Sequence, residues 1–493
     1  MIYHGYIMAV TNFKNDDSFL QKLAVGATGT KLVMSRLQEL GYQPIELERG
    51  STGYKIWKKI KIKRVRVPDI LCLRTGRRFE SRGKTKLEIS MSHSLKDPHR
   101  AWDAGMRDDD HVAIVLCEQI NNSLVEWKPA SPIHFITVQD MRSAFAGGNT
   151  QVTKPKGVEE GSEIRIIWPS VAANSASLVS EVSLTTIKLR QLSGTVQRCV
   201  LGRKNFSLAP MCITGEMVQQ NQIVAATVPI NLNPVRSDDV DERFFRLRLA
   251  SASLSERYAA AKALRFRGFA NSFDSLVSRM QDPEEDIYVQ LEAAAALAAS
   301  NHSIGWAFLR NSLGSDYLAF QLETIIVLSE IVQPLSQGLL ISVLLDTSRD
   351  SEIRSGAAWA LGEFKSQEAA FSLVDTFNST SMEIRVEAAR ALLKIAPAQL
   401  DLLVKLLRSV DPSKRDGLAW ALAKAGGFDV STLVDKTSDQ NLRRWVSYVA
   451  GYGEALFPEE QLSRLFQLDA EVYFAASVLW QLLSSWISGL GEY

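Results

Sequence analysis

SEIRSGAAWALGEF (351–364), MEIRVEAARALLKI (382–395), SKRDGLAWALAKAG (413–426) and LRRWVSYVAGYG (442–453) each open a helix rich in small residues, and their spacing decides the fold of the C-terminal half. Extending the alignment in both directions places equivalent anchor positions at Glu256, Val289, Phe320, Ile353, Ile384, Lys414, Leu442 and Val472. Neighbouring anchors are 28 to 33 residues apart, and the eighth residue after each is apolar or small: Leu264, Leu297, Leu328, Leu361, Leu392, Leu422, Ala450 and Trp480. A fixed period of this length is the signature of stacked supersecondary units. Alanine clusters at 293–296 and 357–360 allow neighbouring helices to approach closely, and Asp282-Pro283 and Asp411-Pro412 suit helix starts. The reading predicts an all-α solenoid of about eight helical hairpins over residues 239–493.

These segments resemble HEAT-type repeats over roughly residues 242–493. The resemblance implies a curved array with a long concave surface, used for binding a protein partner or for self-association. The array is acidic overall, which disfavours DNA wrapping, although Lys414, Arg415, Arg443 and Arg444 are expected to form a local basic patch.

Working outward, 493 residues exceed a single ordinary core and imply a multidomain chain. A hydrophobic share of 46% with 23% charged residues is globular, and no apolar run is long enough for a membrane helix. The first twenty residues lack the basic start and apolar core of a secretory signal, so a cytoplasmic protein with no membrane partner is expected. Cys72, Cys117, Cys199 and Cys212 form no C-x-x-C pair and are expected as buried thiols. The net charge of +1 conceals a division. Residues 1–240 hold 32 Lys+Arg against 23 Asp+Glu, and residues 241–493 hold 24 against 32. A basic half joined to an acidic half suggests a polyanion-binding module beside a part with another task.

The basic half carries the candidate chemistry. FLQKLAVGATGTKLVMSRLQELG ending at Gly41 reads as an amphipathic helix, followed by a strand in QPIELERG. Between Tyr54 and Glu88 stand thirteen cations: Lys55, Lys58, Lys59, Lys61, Lys63, Arg64, Arg66, Arg74, Arg77, Arg78, Arg82, Lys84 and Lys86. Only Asp69, Glu80 and Glu88 oppose them. Ile60, Ile62, Val65 and Val67 alternate with Lys or Arg, which suits strands with one buried face and one face toward a phosphodiester backbone; an edge strand guarded by lysines is the alternative. Thr75-Gly76 can close a two-residue hairpin, which would set Leu71 opposite Glu80 and Asp69 opposite Arg82. Strand alternation then puts Asp69, Glu80, Arg82 and Lys84 on one face. Two carboxylates beside a cation can hold Mg²⁺ or Mn²⁺ and handle a phosphate.

Pro68-Asp69, ten residues, and then Glu80-Ser81-Arg82 with Lys84 beyond resemble the PD-(D/E)xK signature of restriction-endonuclease-like folds, over roughly residues 18–140. The resemblance implies an α/β nuclease domain within 1–150, with Asp69 and Glu80 as metal ligands and a catalytic lysine at position 82. A helix and an apolar strand in RAWDAGMRDDDHVAIVLCE (100–118) would follow the order of that core. Two departures stand out. Position 82 is arginine, which does not surrender a proton, so Lys84 on the same face takes the catalytic place or the site is weakened. The first helix reads Gly26-Ala27-Thr28-Gly29-Thr30 where the family often has a glutamate.

Residues 151–238, with EIRIIWPS, LVSEVSLTTIKLRQ, TVQRCVLG and QIVAATVPINL, read as a β-rich middle domain or an extension of the nuclease sheet. The expected function is a metal-dependent DNA endonuclease with a repeat module for interaction or regulation, in a setting of bacterial defence against foreign DNA. The alternatives are a non-catalytic nucleic-acid-binding adaptor and a pure scaffold.

Overall fold

The computed structural model describes residues 16–47, 65–121, 126–154, 163–203, 205–235, 237–426 and 438–454, with single positions at 434 and 467. A strand-rich region is followed by helical repeats. The described residues up to Ser275 form one compact unit and those from Leu276 a second.

The first unit begins with α1 (Asp16–Glu39), which buries Val25, Gly29, Val33 and Leu37 at four-residue spacing. It ends where Gly41 takes the left-handed conformation (φ +80°) and the Tyr42 N–H reaches the Leu37 carbonyl at 2.9 Å. β1 (Pro44–Glu46), β2 (Ile70–Cys72) and β3 (Arg78–Lys84) pair antiparallel in sequence. β4 (Ile89–Ser94) leaves this sheet, and β5 (His111–Gln119) returns to lie parallel to β3. β6 (Trp127–Pro129) and β7 (His134–Thr137) both pair antiparallel with β5, and α2 (Val138–Ala146) follows. The helix-to-sheet contact is set by glycine. A Cβ on Gly83 of β3 would stand 2.2 Å from the Val25 carbonyl oxygen, and one on Gly29 would stand 2.7 Å from the Gly83 nitrogen. The GATGT stretch is therefore a seat for backbone approach, which accounts for its small residues.

Two expectations are corrected. The hairpin turn spans four residues, Leu73–Gly76, with the Gly76 N–H on the Cys72 carbonyl and the Cys72 N–H on the Arg77 carbonyl, both at 2.8 Å. Register consequently moves by two, with Leu71 opposite Arg78 and Ile70 opposite Phe79. The same faces are kept, but Asp69 comes opposite Glu80 rather than Arg82. Residues 100–110 are turns after a single 3₁₀ turn at Pro98–Arg100, not a helix. Gly105 adopts φ +77°, and a side chain there would strike the Arg66 carbonyl, so the segment is built as a loop.

β4 pairs with β9 (Glu163–Trp168), to which β8 (Gln151–Thr153) adds on the other edge. Trp102, Met141 and Trp168 share one core with β4, β5, β7 and β9. Beyond it, β10 (Ser170–Ala172), β11 (Ser177–Val182), β12 (Thr186–Gln191) and β13 (Val196–Val200) lead to the two-residue strands β14 (Gly202–Arg203), β15 (Phe206–Ser207), β16 (Ala209–Pro210) and β17 (Met217–Val218). β18 (Ile223–Ala226) completes this region, whose sheets run β10-β18-β16 and β13-β12-β11-β17 over a separate core of Val179, Ile187, Leu189 and Val224. All four cysteines are buried free thiols.

α3 (Glu242–Arg248) and α4 (Leu254–Arg267) also lie in the first unit. The Ser255 hydroxyl stands 2.7 Å from both Arg78 Nη1 and the Gly105 carbonyl, and the Tyr258 hydroxyl donates to the Leu47 carbonyl at 3.0 Å.

α5 (Phe273–Gln281) leads into the second unit, where α6 (Ile287–Ala299), α8 (Leu318–Glu330) and α10 (Ser351–Leu361) alternate with α7 (Ser303–Leu313), α9 (Pro334–Leu345) and α11 (Gln367–Asp375). α12 (Met382–Ser409) contains both helices of a hairpin, joined at a kink where Gln399 is non-helical two residues after Pro397. α13 (Arg415–Ala425) and α14 (Gln440–Glu454) follow. Six of the anchors, from Glu256 to Leu442, are the third residue of their helix, and Lys414 directly precedes α13; Val472 lies outside the described residues. The apolar positions eight residues on, Leu264 through Ala450, are all buried. Among the described residues no helix is long and apolar enough to cross a membrane.

Candidate functional site

Glu80, Arg82 and Lys84 alternate along β3 and line one cavity of about 490 Å³, together with Arg66, Ser90, Ser92, His93, Arg100, Trp102 and Glu163. Asp69, at the mouth of β2, is buried and accepts a 2.7 Å hydrogen bond from the Ser81 N–H at Oδ2, which fixes its carboxylate beside the start of the Glu80 face. Glu80 is also buried and forms an ion pair with Arg82. Lys84 donates from Nζ to the Ser90 carbonyl at 2.9 Å and to its hydroxyl at 3.3 Å. The Ser90 hydroxyl also accepts from Arg165 Nε (3.2 Å) and Nη2 (3.1 Å), and Arg165 pairs with Glu88 at 2.5 Å. Burial first, then the Arg82 and Arg165 charges, lower Lys84 to a pKa of about 8, against a smaller upward pull from Glu88. On the opposite wall His93 Nδ1 accepts from the Trp102 N–H at 3.3 Å, and Arg100 pairs with Glu163.

No group of three or more His, Cys, Asp or Glu suited to a metal occurs among the described residues, and the two carboxylates expected as ligands are Asp69 and Glu80. Two hard oxygen donors suit Mg²⁺, which keeps several waters and accepts one or two protein carboxylates. The Ser81 bond to Asp69 and the Arg82 pair on Glu80 are the features such an ion would share or displace.

Three of the expected residues, Glu80, Arg82 and Lys84, are thus brought together on one cavity with Arg66, while Asp69 does not line it and is held by the Ser81 N–H. Arg78 is corrected. Rather than facing nucleic acid it is 1% exposed, with Nε 3.1 Å from both Asp110 oxygens and Nη2 2.5 Å from Oδ2. Arg107 also reaches Asp110 Oδ1 at 3.1 Å. Burial pushes the Asp110 carboxyl up, but Arg78 and Arg107 outweigh it and hold it below the usual range. Arg77 is turned toward Asp109, 3.2 Å away, outside the cavity. Lys86 is exposed and does not line the cavity. Lys58, Lys59, Lys61, Lys63 and Arg64 lie outside the described residues. In the repeats Lys414 and Arg415 pair with Asp375 (2.9 Å) and Asp439 (2.6 Å), so half of the expected basic patch is neutralised.

Sequence reasoning gave no role to Ser90, His93, Arg100, Glu163 or Arg165. Arg165 does not line the cavity but reaches its Ser90 hydroxyl, and only because β9 pairs with β4, setting Ser92 opposite Arg165 across more than seventy residues. No local spacing announces that pairing. The run of alternating polar residues in Ile89–Ser94 was the available signal for a strand lining a polar space.

The C-terminal region carries HEAT repeats: residues 336–423 match the family described as HEAT repeats. No curated protein matches the chain. Among solved structures, the complex of CpcE and CpcF of phycocyanin lyase from Nostoc is similar at 19% identity, covering 49% of this chain and 97% of that one, with a TM-score of 0.26. Human deoxyhypusine hydroxylase is similar at 21% identity, covering 43% and 84%, with a TM-score of 0.19. An engineered protein is similar at 23% identity, covering 50% and 97%, with a TM-score of 0.20.

Proposed function

We propose that the first unit is a Mg²⁺- or Mn²⁺-dependent endonuclease acting on DNA, and that the HEAT-repeat region binds a protein partner or a second copy and so directs where it acts. The observation that carries this reading is the convergence of Glu80, Arg82 and Lys84 on one cavity, with the Asp69 carboxylate held at the neighbouring Ser81 N–H. The order of α1, the antiparallel β1-β2-β3 and the parallel β5 supports it, following the core order that the PD-(D/E)xK resemblance implies except for the helix before β5, whose place is taken by turns. Asp69 and Glu80 would hold the cation. When bound, such an ion neutralises charge developing on a phosphate and acidifies a water. Arg66 and Arg100 offer guanidinium groups to phosphate oxygens at the cavity wall. With a pKa of about 8, Lys84 keeps roughly a tenth of its amine neutral at pH 7, enough to accept a proton from an attacking water. Defence against foreign DNA is the biological setting we propose for this pairing of modules.

One observation favours a second reading, a non-catalytic nucleic-acid-binding adaptor: the Arg82 guanidinium already neutralises Glu80. Incubating plasmid, linear duplex, single-stranded DNA and RNA with the full chain and Mg²⁺ or Mn²⁺ separates the two. The nuclease reading expects cutting that Asp69→Ala and Glu80→Ala abolish, and it fails if cutting survives Asp69→Ala. The adaptor reading expects no cutting, with duplex affinity falling at a log–log salt slope of about −0.9 per phosphate contacted.

A further inference from the structure

We infer that Arg165, acting through Ser90, is a positioning residue that holds Lys84 Nζ in the cavity, so that β9 completes a site begun on β3. The inference rests on the nuclease reading for its purpose but on geometry for its substance. Ser90 is 2% exposed and receives cations from two sides: Lys84 on its carbonyl and hydroxyl, and Arg165 on the same hydroxyl through two nitrogens. A buried hydroxyl shared in this way fixes both partners, because moving either leaves a buried polar group short of a hydrogen bond. Glu88 pairs at 2.5 Å with the same Arg165 Nη2 that donates to Ser90, so Glu88, Arg165, Ser90 and Lys84 are joined in one polar chain across β4 and β9.

The charge arrangement gives the chain a purpose. The groups acting on Lys84 are Arg82 on its own strand, Glu88 in the turn after β3 and Arg165 on β9. Two cations disfavour the ammonium, and the one carboxylate that would favour it is engaged by Arg165. Arg165 therefore acts twice, by its own charge and by occupying Glu88. This arrangement supplies at position 84 the proton acceptor that an arginine at position 82 cannot be.

The test reads Lys84 directly. The full chain and its Arg165→Met, Arg165→Lys and Ser90→Ala variants are acylated across pH 6–10 in brief pulses, and the modified fraction at Lys84 is measured by peptide mass spectrometry. In parallel, DNA cutting with Mg²⁺ is followed over the same range, with circular dichroism to check the fold. The wild type is expected to reach half reactivity near pH 8. Arg165→Met is expected to raise that midpoint by about one pH unit and to cut about tenfold more slowly at pH 7, recovering toward pH 9. Arg165→Lys should keep the midpoint closer to the wild type. Ser90→Ala, which retains both charges, should loosen Lys84 and lower cutting at every pH. A midpoint unmoved in a folded Arg165→Met overturns the inference, whether or not DNA is cut. A midpoint that moves in a protein that cuts nothing overturns the nuclease reading and leaves the positioning role standing.

Discussion

The two units use polar side chains for opposite ends. At the anchors of α4, α6, α8 and α10 the next residue is a long donor that reaches back to a carbonyl of the preceding segment. Arg257 bonds the Ser251 carbonyl at 2.9 Å, Gln290 that of Asp282 at 2.6 Å, Gln321 that of Ser315 at 2.6 Å, and Arg354 that of Leu344 at 2.9 Å. Helix ends leave carbonyls without intrahelical partners, and these donors supply them one unit at a time. In the first unit polar groups of β3, β4 and β9 meet around one cavity, and β9 brings partners from far off in sequence, Arg165 to Ser90 and Glu163 to Arg100. Local polar groups cap a repeating architecture, whereas convergent ones make a site.

Acid should separate the units most strongly. His111 and His134 are buried, their Nε2 atoms accepting from the N–H groups of Val235 (3.3 Å) and Ile223 (2.9 Å). Burial, joined at His111 by the Arg77 charge, lowers both to about 4. Since the folded values lie below the unfolded value of about 6.5, the stabilising contribution is complete above pH 6.5 and is lost as pH falls toward 4. The pair should cost the first unit about 5 kcal/mol at pH 4. Hydrogen exchange at pH 7 and pH 4.5 should show the sheet of β3, β5 and β7 opening while α6–α10 keep their protection. Equal loss in both would remove the contrast.

Next in size is Asp110→Ala, which strands Arg78 and Arg107 in a dry interior and should destabilise the first unit by about 4 kcal/mol in urea titration. Replacing both Asp110 and Arg78 by apolar residues should recover part of that loss, because the penalty is the uncompensated charge rather than the missing pair. Gly83→Ala should cost about 3 kcal/mol, since the added methyl meets the Val25 carbonyl and only movement of α1 relieves it. Gly338→Ala in α9 is the counterpart in the repeats. It has open space around it and should stabilise by about 0.5 kcal/mol.

Much of this contrast was legible in the sequence, but unevenly. The period of the repeats and the buried positions eight residues after each anchor were readable because a solenoid is written locally, each unit contacting only its neighbours. The face shared by Glu80, Arg82 and Lys84 followed from strand alternation, which a register error of two does not disturb. The partner of Asp69 was misplaced because the turn takes four residues, and turn length fixes register. Arg78 looked like its neighbours because charge in a sequence does not reveal that Asp110 waits inside. The Lys84 environment was out of reach for a further reason: it depends on β9, whose pairing with β4 no local pattern encodes.

The smallest loss of stability is also the sharpest test of the local half of the comparison. Gln321→Ala removes one donor from the Ser315 carbonyl and one acceptor, at 3.0 Å, from Arg349. Arg349 retains the Leu313 carbonyl at 2.7 Å and Asp346 at 3.1 Å, so no charge is left unpaired. The loss should be about 2 kcal/mol, for one neutral hydrogen bond and one from a charged guanidinium, and should fall on α8 and its immediate neighbours in hydrogen exchange. Because these donors are repeated rather than convergent, the double variant Gln290→Ala, Gln321→Ala should lose the sum of the two single losses to within about 0.5 kcal/mol. Strong coupling between them would mean that the repeats share a polar network of their own, and the distinction between capping residues and site residues would then have to be redrawn.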